Sequence, residues 1–340
     1  MLSLDEARAL AAAALRGAGA SDAMAAATAR ALVAAEAEGQ PGHGLSRVKQ
    51  YAGFLRSGRA DGGAEPAIIA EKPGAVLIDA RHGLAYPALG LAMAEAAARA
   101  RAQGIAFAGI TNSHHAGAIG LPVAALARGG LVALAFTNSP AAMPVPGGAR
   151  PLLGTNPVAA AFPRRGADPL VIDLALSAVA RGKIMVAAKE GRPIPPDWAL
   201  DATGAPTTDA RAALDGAMLA MGGTKGAALA LMVELLCVAL TGAAFSFEAD
   251  SFFTAEGNQP RLGQALIAID PGGLAGQALF LDRVEALVTA MLAEPAVRLP
   301  GARRAALVAR ATAEGIAVPP ALMAELNLLA SAAPPVAESG

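Results

Sequence analysis

The 340-residue sequence is short of several things: it has four histidines, one cysteine, 4% aromatic residues and 16% charged residues, with a formal net charge of −1. One cysteine, Cys237, permits no intrachain disulfide, which fits a reducing compartment and a cytoplasmic protein. A pI near 6.4 and the absence of Lys/Arg blocks interleaved with aromatics exclude a nucleic-acid-binding surface. Few aromatics leave Leu, Val, Ile and Met to fill the core, and much of the 54% hydrophobic content is alanine, which helices accept anywhere. The start, MLSLDEARAL, has neither the cationic region nor the long apolar run of a signal peptide.

Phosphate-binding fingerprints are absent too. No Gly-x-Gly-x-x-Gly lies between a strand and a helix, and there is no Gly-x-x-x-x-Gly-Lys-Ser/Thr loop or His-Glu-x-x-His pair. No metal site is expected: the adjacent His114 and His115 would point to opposite faces of a strand. One apolar stretch, Gly226 to Phe245, is long enough to span a bilayer. Glu234 at its centre and Gly242 near its end argue instead for a buried helix of a large soluble protein, with no membrane partner.

What is present alternates. The length suggests two or three lobes. Ser3 and Glu6 have capping-box spacing, and three helical patterns end at Gly58. A linker-like RADGGAEPA follows. Short apolar strands (AVLIDA, IAFAGITN, LVALAFTN, NPVAAAFP, LVIDLALS, GQALIAID) then alternate with helices, which indicates an α/β protein. Residues 71–274 read as a central α/β region. Residues 1–70 with 275–330 read as a helical lobe on the substrate side, and 331–340 as a disordered tail.

Several stretches could carry chemistry. In GHGLSRVKQY, a helix beginning near Leu45 puts His43 at its mouth and Arg47 one turn in. Imidazole serves as an acid or base near neutrality, and guanidinium grips a carboxylate with two bonds. A solvated cap is the plainer alternative. Lys225 in GGTKG precedes a helix and could meet an anion, or belong to a flexible loop. Asp173 and Ser177 close an apolar strand, where acids are either functional or caps. Ser139 lies just beyond another strand, and Thr155 and Asn156 sit in a turn before a third.

Taken in order, GHGLSRVKQY, NSHHAGAIG, GARPLLGTNPVAAAFP, VIDLALSAVARGKI, GRPIPPDWALDATGAPTTD, MGGTKGAALALMVELL, ALIAIDP and LPGARR resemble the type-2 malate/L-lactate dehydrogenase family over about residues 3–330. Its relatives include ureidoglycolate and sulfolactate dehydrogenases and the Δ1-piperideine-2-carboxylate/Δ1-pyrroline-2-carboxylate reductases. The resemblance implies a non-Rossmann nicotinamide-binding α/β fold with a mixed central sheet, and a homodimer with its cleft near the interface. It implies NAD or NADP as coenzyme and a small carboxylate substrate. Hydride would pass between nicotinamide and the carbon next to the carboxylate, in 2-hydroxy/2-oxo acid or cyclic-imine chemistry.

The same resemblance maps the proton carrier to His43 or His115 and the carboxylate anchor to Arg47. Cofactor contacts map to Ser139, Asp173, Leu174, Ala175, Ser177, Lys225, Pro300 and Gly301. His114, Thr155 and Asn156 complete the expected substrate contacts. Two departures stand out. Gly42 replaces a Ser or Thr before the first histidine, and Ala116 replaces a bulkier residue, which could enlarge the pocket. A non-catalytic member of the fold is the remaining class, and the retained His43, Arg47, His115, Asp173 and Lys225 argue against it.

Overall fold

The computed structural model describes residues 1–332. The expected tail lies outside the described residues from 333 onward, and Ser331 ends the last helix. Helix α1 (Leu4–Arg16) starts on the anticipated capping box: Ser3 Oγ accepts from the Glu6 amide at 3.2 Å, and Glu6 Oε2 accepts from the Ser3 amide at 2.8 Å. Helix α2 (Asp22–Ala37) and helix α3 (Arg47–Arg56) follow. Strand β1 (Ala67–Lys72), which follows the linker-like stretch and is not among the expected strands, pairs with β2 (Ala75–Asp79). Then come α4 (Ala85–Gln103), β3 (Ile105–Ser113), α5 (Gly120–Arg128), β4 (Val132–Thr137), β5 (Val158–Phe162) and β6 (Leu170–Leu174).

A small excursion holds α6 (Arg181–Glu190), β7 (Ala199–Leu200), α7 (Ala210–Asp215) and β8 (Ala217–Met218). Helix α8 (Thr224–Glu234) runs on as one wider turn, Leu235–Ala239. Strand β9 (Leu262–Ile269) and helices α9 (Gln277–Leu292), α10 (Ala302–Glu314) and α11 (Pro320–Ser331) complete the chain.

The main sheet has seven strands in the order β1-β2-β3-β9-β4-β5-β6. Only β2 and β3 are parallel, joined by the crossover helix α4. Strand β9 inserts antiparallel between β3 and β4, so the sheet is mixed. A run of adjacent parallel strands, which a Rossmann site needs, does not form. Small side chains set the spacing on one face: Ala88, Ala92, Ala96 and Ala100 recur every four residues along α4 and are all buried. Those alanines share one core with α1 to α3 and with Val76, Ile78, Ala133 and Leu266 of the sheet. The termini close together, with Leu2 bridging Ile316 and Lys49 paired with Glu325 at 2.7 Å. The second sheet face packs on Met143, Ile184, Val233 and Cys237.

The helix expected to be buried is buried on one side only. Ala227, Ala230, Val233 and Cys237 face the core, whereas Leu231, Met232, Leu235 and Leu240 are exposed. No helix among the described residues is long and apolar enough to cross a membrane.

Candidate active site

The site begins with a defect in β3. The ladder to β9 skips one residue between Ile110 and Ser113, and Asn112 sits in the left-handed region at φ 49°. Asparagine tolerates that conformation, and its amide is held by Asp79 Oδ1 at 3.1 Å. Such a bulge bends a strand and re-aims the side chains beyond it. Here it delivers His114 and His115 off the end of the sheet in different settings. His114 is 1% exposed and packs between Phe54 and Phe252, at ring distances of 4.8 and 5.2 Å. Its Nδ1 accepts the His115 amide at 2.9 Å. His115 is half-buried, and its Nδ1 lies 2.7 Å from the Tyr51 hydroxyl. That hydroxyl also lies 3.0 Å from the hydroxyl of Tyr86.

The facing wall is α3. It starts at Arg47 rather than near Leu45, because residues 41–43 form their own tight turn that ends in His43. Glu36 of α2 holds this junction through the Leu45 amide at 2.8 Å. A Cβ on Gly44 would collide with the same carboxylate, which is a local reason for glycine after His43. Arg47, Gln50, Tyr51 and Phe54 then occupy one helical face by their spacing. Arg47 Nε donates to the Gly42 carbonyl at 2.6 Å, and one terminal nitrogen donates to Gln50. Its other terminal nitrogen hydrogen-bonds no described residue, so a fork remains for a ligand. The His43 ring stacks on that of His115 at 5.7 Å.

The electrostatics are one-sided. Burial, then the Arg47 charge, holds His43 below the ordinary imidazole range. The same causes in the same order hold His115 well below it, with His43 and His114 adding to the effect. Burial brings His114 down to about 3, helped by Arg59. Burial raises the Tyr51 phenol to about 12, so it stays protonated. The cluster is therefore neutral imidazoles and phenols, with the Arg47 guanidinium at its mouth and Arg59 behind His114.

A second strip runs along the ends of β4, β5 and β6. Ser139 Oγ accepts the Thr155 amide at 3.0 Å, and Ser177 is buried, donating to the Val179 carbonyl at 2.8 Å. Asp173 is paired with Arg304 at 2.8 Å, and both carry charge that His43 senses. Leu174 and Ala175 are exposed at the edge of the sheet. Pro300 accepts the Val171 amide at 3.2 Å, placing the 300–301 turn beside β6. Asn156 is fully buried and its amide nitrogen is committed, to Glu234 at 2.7 Å and Ala230 at 2.9 Å. Only its Oδ1 lacks a partner among the described residues. Lys225 is exposed in the first turn of α8 and forms no ion pair with them.

Ala116 does not open a pocket. It is 3% exposed and belongs to the core, because the chain turns inward before Gly117 at φ 66°. Gly42 does leave space, with nothing within 4 Å of a Cβ added there. Tyr51, Gln50, Tyr86 and Phe252 also belong to the cluster. The first two follow Arg47 at helical spacing, a readable signal. Phe252 carries none, since it reaches the site from a loop far along the chain.

A mixed sheet with a single parallel pair ends in a neutral histidine pair beside Arg47, an arrangement suited to moving a proton next to a carboxylate. The chain belongs to the malate/L-lactate dehydrogenase family, whose model matches residues 2–327. It is 50% identical to the (2R)-3-sulfolactate dehydrogenase (NADP(+)) of Chromohalobacter salexigens, over 97% of this chain and 98% of that protein. It is 41% identical to the Δ1-pyrroline-2-carboxylate/Δ1-piperideine-2-carboxylate reductase of Pseudomonas aeruginosa, over 96% and 98%. The crystal structure of Δ1-piperideine-2-carboxylate reductase from Pseudomonas syringae superposes with a TM-score of 0.91 at 40% identity, covering 96% of this chain and 99% of that one.

Proposed function

We propose that the protein oxidises a small 2-hydroxy acid of the sulfolactate, malate or lactate type to the 2-oxo acid, and catalyses the reverse reduction. One observation carries the direction. His43 and His115 are both held neutral beside Arg47, which makes them bases ready to take a hydroxyl proton. Arg47 offers its free guanidinium edge to the substrate carboxylate. The 2-hydroxyl then lies towards the stacked imidazoles, and His115 or His43 receives its proton. The Tyr51 hydroxyl holds Nδ1 of His115, leaving Nε2 for the substrate. His114, spent on the His115 amide, supports the pair from behind.

The hydride acceptor is NAD or NADP, which takes up the two electrons and the hydrogen leaving the substrate carbon. The residues present fit such a group. Asn156 Oδ1 is a buried acceptor without a partner among the described residues, and Leu174 and Ala175 leave an exposed strip at the sheet edge. Gly301 packs so closely on Val171 that an added Cβ would come within 3.2 Å, so that turn approaches backbone-first. Ser139, Asp173, Ser177 and Pro300 line the same strip, and Lys225 supplies an uncommitted cation.

Binding of an acid has an electrostatic consequence. A carboxylate on Arg47 offsets the charge that depresses the histidines, so their proton affinity rises as substrate docks. The neutral imidazole is thereby a stronger base for the substrate's hydroxyl proton.

Cyclic-imine reduction is the second reading, favoured by the open space at Gly42 and by the likeness to the Pseudomonas reductases. Purified protein assayed with NAD(P)+ against (2R)-3-sulfolactate, malate and lactate, and with NAD(P)H against pyrroline- and piperideine-2-carboxylate, separates the two. Turnover of a 2-hydroxy acid supports the first, and turnover confined to the imines replaces it with the second.

The assembly is a homodimer. Leu231, Met232, Leu235 and Leu240 form an exposed apolar face that a second copy would cover. Light scattering at working concentration reads the mass directly, and a monomer would discard this assignment. Cytoplasmic residence suits the single buried thiol of Cys237.

A further inference from the structure

Arg59 is 1% exposed, yet it forms no ion pair with a described carboxylate. Its guanidinium is spent on backbone instead. Nε donates to the Asn258 carbonyl at 3.0 Å, one terminal nitrogen to those of Ser251, Thr254 and Glu256, and the other to Asp250 at 3.1 Å. Five carbonyls of one loop thus converge on one side chain from a different part of the chain. The loop also closes on itself: Asp250 and Asn258 exchange amide-to-side-chain bonds at 3.0 and 2.8 Å. Ser57 adds a bond to Ala255 at 2.7 Å. Burying a guanidinium is costly unless its donors are met, so these partners hold only one loop conformation.

That conformation places Phe252. Its ring lies 5.4 Å from His115, edge to face, and 5.2 Å from His114. Its carbonyl accepts from Gln50, which in turn holds Arg47. Arg59 itself lies over the Phe54 ring, 5.0 Å from its centroid, and Phe54 touches both His114 and Phe252. The loop therefore reaches the proton-handling histidine and the carboxylate anchor at once.

We propose that residues 250–258 are a strap pinned by Arg59, and that Phe252 on it is the wall that sets the size of the acid reaching His115. The proposal rests on the 2-hydroxy-acid or cyclic-imine reading above, since it assigns specificity to that same cleft. Arg59 is a positioning residue, and Phe252 is a specificity residue. An apolar wall discriminates by volume, and each methylene of mismatch is worth about tenfold or more.

The test compares Phe252→Ala, Phe252→Leu and Arg59→Lys with wild type. The acids are pyruvate, sulfopyruvate, phenylpyruvate and piperideine-2-carboxylate, and NADPH affinity and melting temperature are controls. Phe252→Ala should raise kcat/KM for the large acids relative to pyruvate by about tenfold, with Phe252→Leu between, at unchanged NADPH affinity. Arg59→Lys keeps the charge but loses the fork. It should blunt the wild-type size preference and speed amide exchange across 250–258, and it should add nothing to the preference once Phe252 is alanine.

Equal kcat/KM ratios in wild type and Phe252→Ala overturn the proposal, as does unchanged exchange in Arg59→Lys. If wild type turns over none of the acids, the catalytic reading fails instead. Calorimetric binding of the same acids then judges the strap: a changed affinity order in Phe252→Ala upholds it, and an identical order removes it.

Discussion

The Tyr51 hydroxyl stands 2.7 Å from His115 Nδ1, with the Tyr86 hydroxyl 3.0 Å beyond it. Tyr51 is held protonated and can pass its own hydrogen to the Tyr86 hydroxyl, so its oxygen accepts from Nδ1–H of His115 and fixes the tautomer whose Nε2 is bare and able to take a proton. Tyr51→Phe removes that bond and leaves Nδ1 unsatisfied in a buried setting. Turnover should fall about tenfold or more, equivalent to the ~1.4 kcal/mol of a lost hydrogen bond, with little change in KM. Wild-type kcat in that variant would remove Tyr51 from the proton path. His115→Ala and His43→Ala extend the comparison. The histidine that carries the proton should cost about a hundredfold or more in kcat, and the other much less.

Arg47 has two separable effects, a fork and a charge. Arg47→Lys keeps the charge and loses the fork, so KM for the acid should rise about tenfold while the pH profile stays in place. Arg47→Met loses both. With the cation gone, imidazolium is easier to form, so the acidic limb of kcat/KM for oxidation should move to higher pH. An unmoved limb in the methionine variant would mean that neither His43 nor His115 is the titrating base.

His114 ties the site to folding stability. Its pKa is about 3 in the folded protein, against an ordinary value of 6.5, so between those pH values only the unfolded chain binds the proton. Stability is therefore full above pH ~6.5 and declines as pH falls, by up to about 1.4 kcal/mol per pH unit for this histidine. His115, depressed for the same reason, adds to the slope. Urea titrations at pH 7 and pH 5 should show the loss, and His114→Phe should flatten it. Equal midpoints at the two pH values for wild type would contradict a buried neutral His114.

Much of this architecture can be read in the chain. The capping box at Ser3 and the strand runs foretell an α/β protein, because period and turn chemistry are local; that it is not Rossmann comes from the family likeness, with which the missing dinucleotide fingerprint agrees. The pairing of His43 with His115 is foreshadowed only by the family likeness, since 72 positions of sequence separate them. Strand β1 is obscured because its residues lie at an exposed sheet edge and lack the alternation of a buried strand. Ala116 was expected in the pocket and lies in the core, since one inward turn at Gly117 decides its direction. Phe252 and Arg59 are invisible for a stronger reason: backbone carbonyls carry no sequence signature, so a side chain that reads five of them cannot be inferred from residue types.

Glu234 and Asn156 form a buried brace beside the ends of β4, β5 and β6. The Glu234 carboxylate accepts from Asn156 Nδ2, from the Ser246 amide and from Ser246 Oγ, each at 2.7 Å. Three donors satisfy an anion that would otherwise be expensive in the core. Glu234→Ala strands those donors and should cost about 3 kcal/mol or more of stability, read as a lowered urea midpoint. Glu234→Gln keeps the shape and an acceptor oxygen, so it should cost less. If the alanine variant is as stable as wild type, water or a shifted Ser246 has replaced the carboxylate and the brace is not structural.

Gly42 offers a gain rather than a loss. It is exposed, precedes His43, and has nothing within 4 Å of where a Cβ would project. Its carbonyl receives Arg47 Nε, so a serine there would add a hydroxyl close to both the carboxylate anchor and the first histidine. Gly42→Ser should therefore leave the folding stability within about 0.5 kcal/mol of wild type, as for surface changes in general. It should alter the ranking of 2-hydroxy acids, favouring those with a second polar group able to accept or donate to the new hydroxyl. The change should appear in kcat/KM ratios for malate against lactate, by about 1–3 kcal/mol if the bond forms in a site shielded from water. Unaltered ratios would show that the substrate lies on the far side of His43, against His115 and Phe252, and would shift the weight of selectivity onto those two residues.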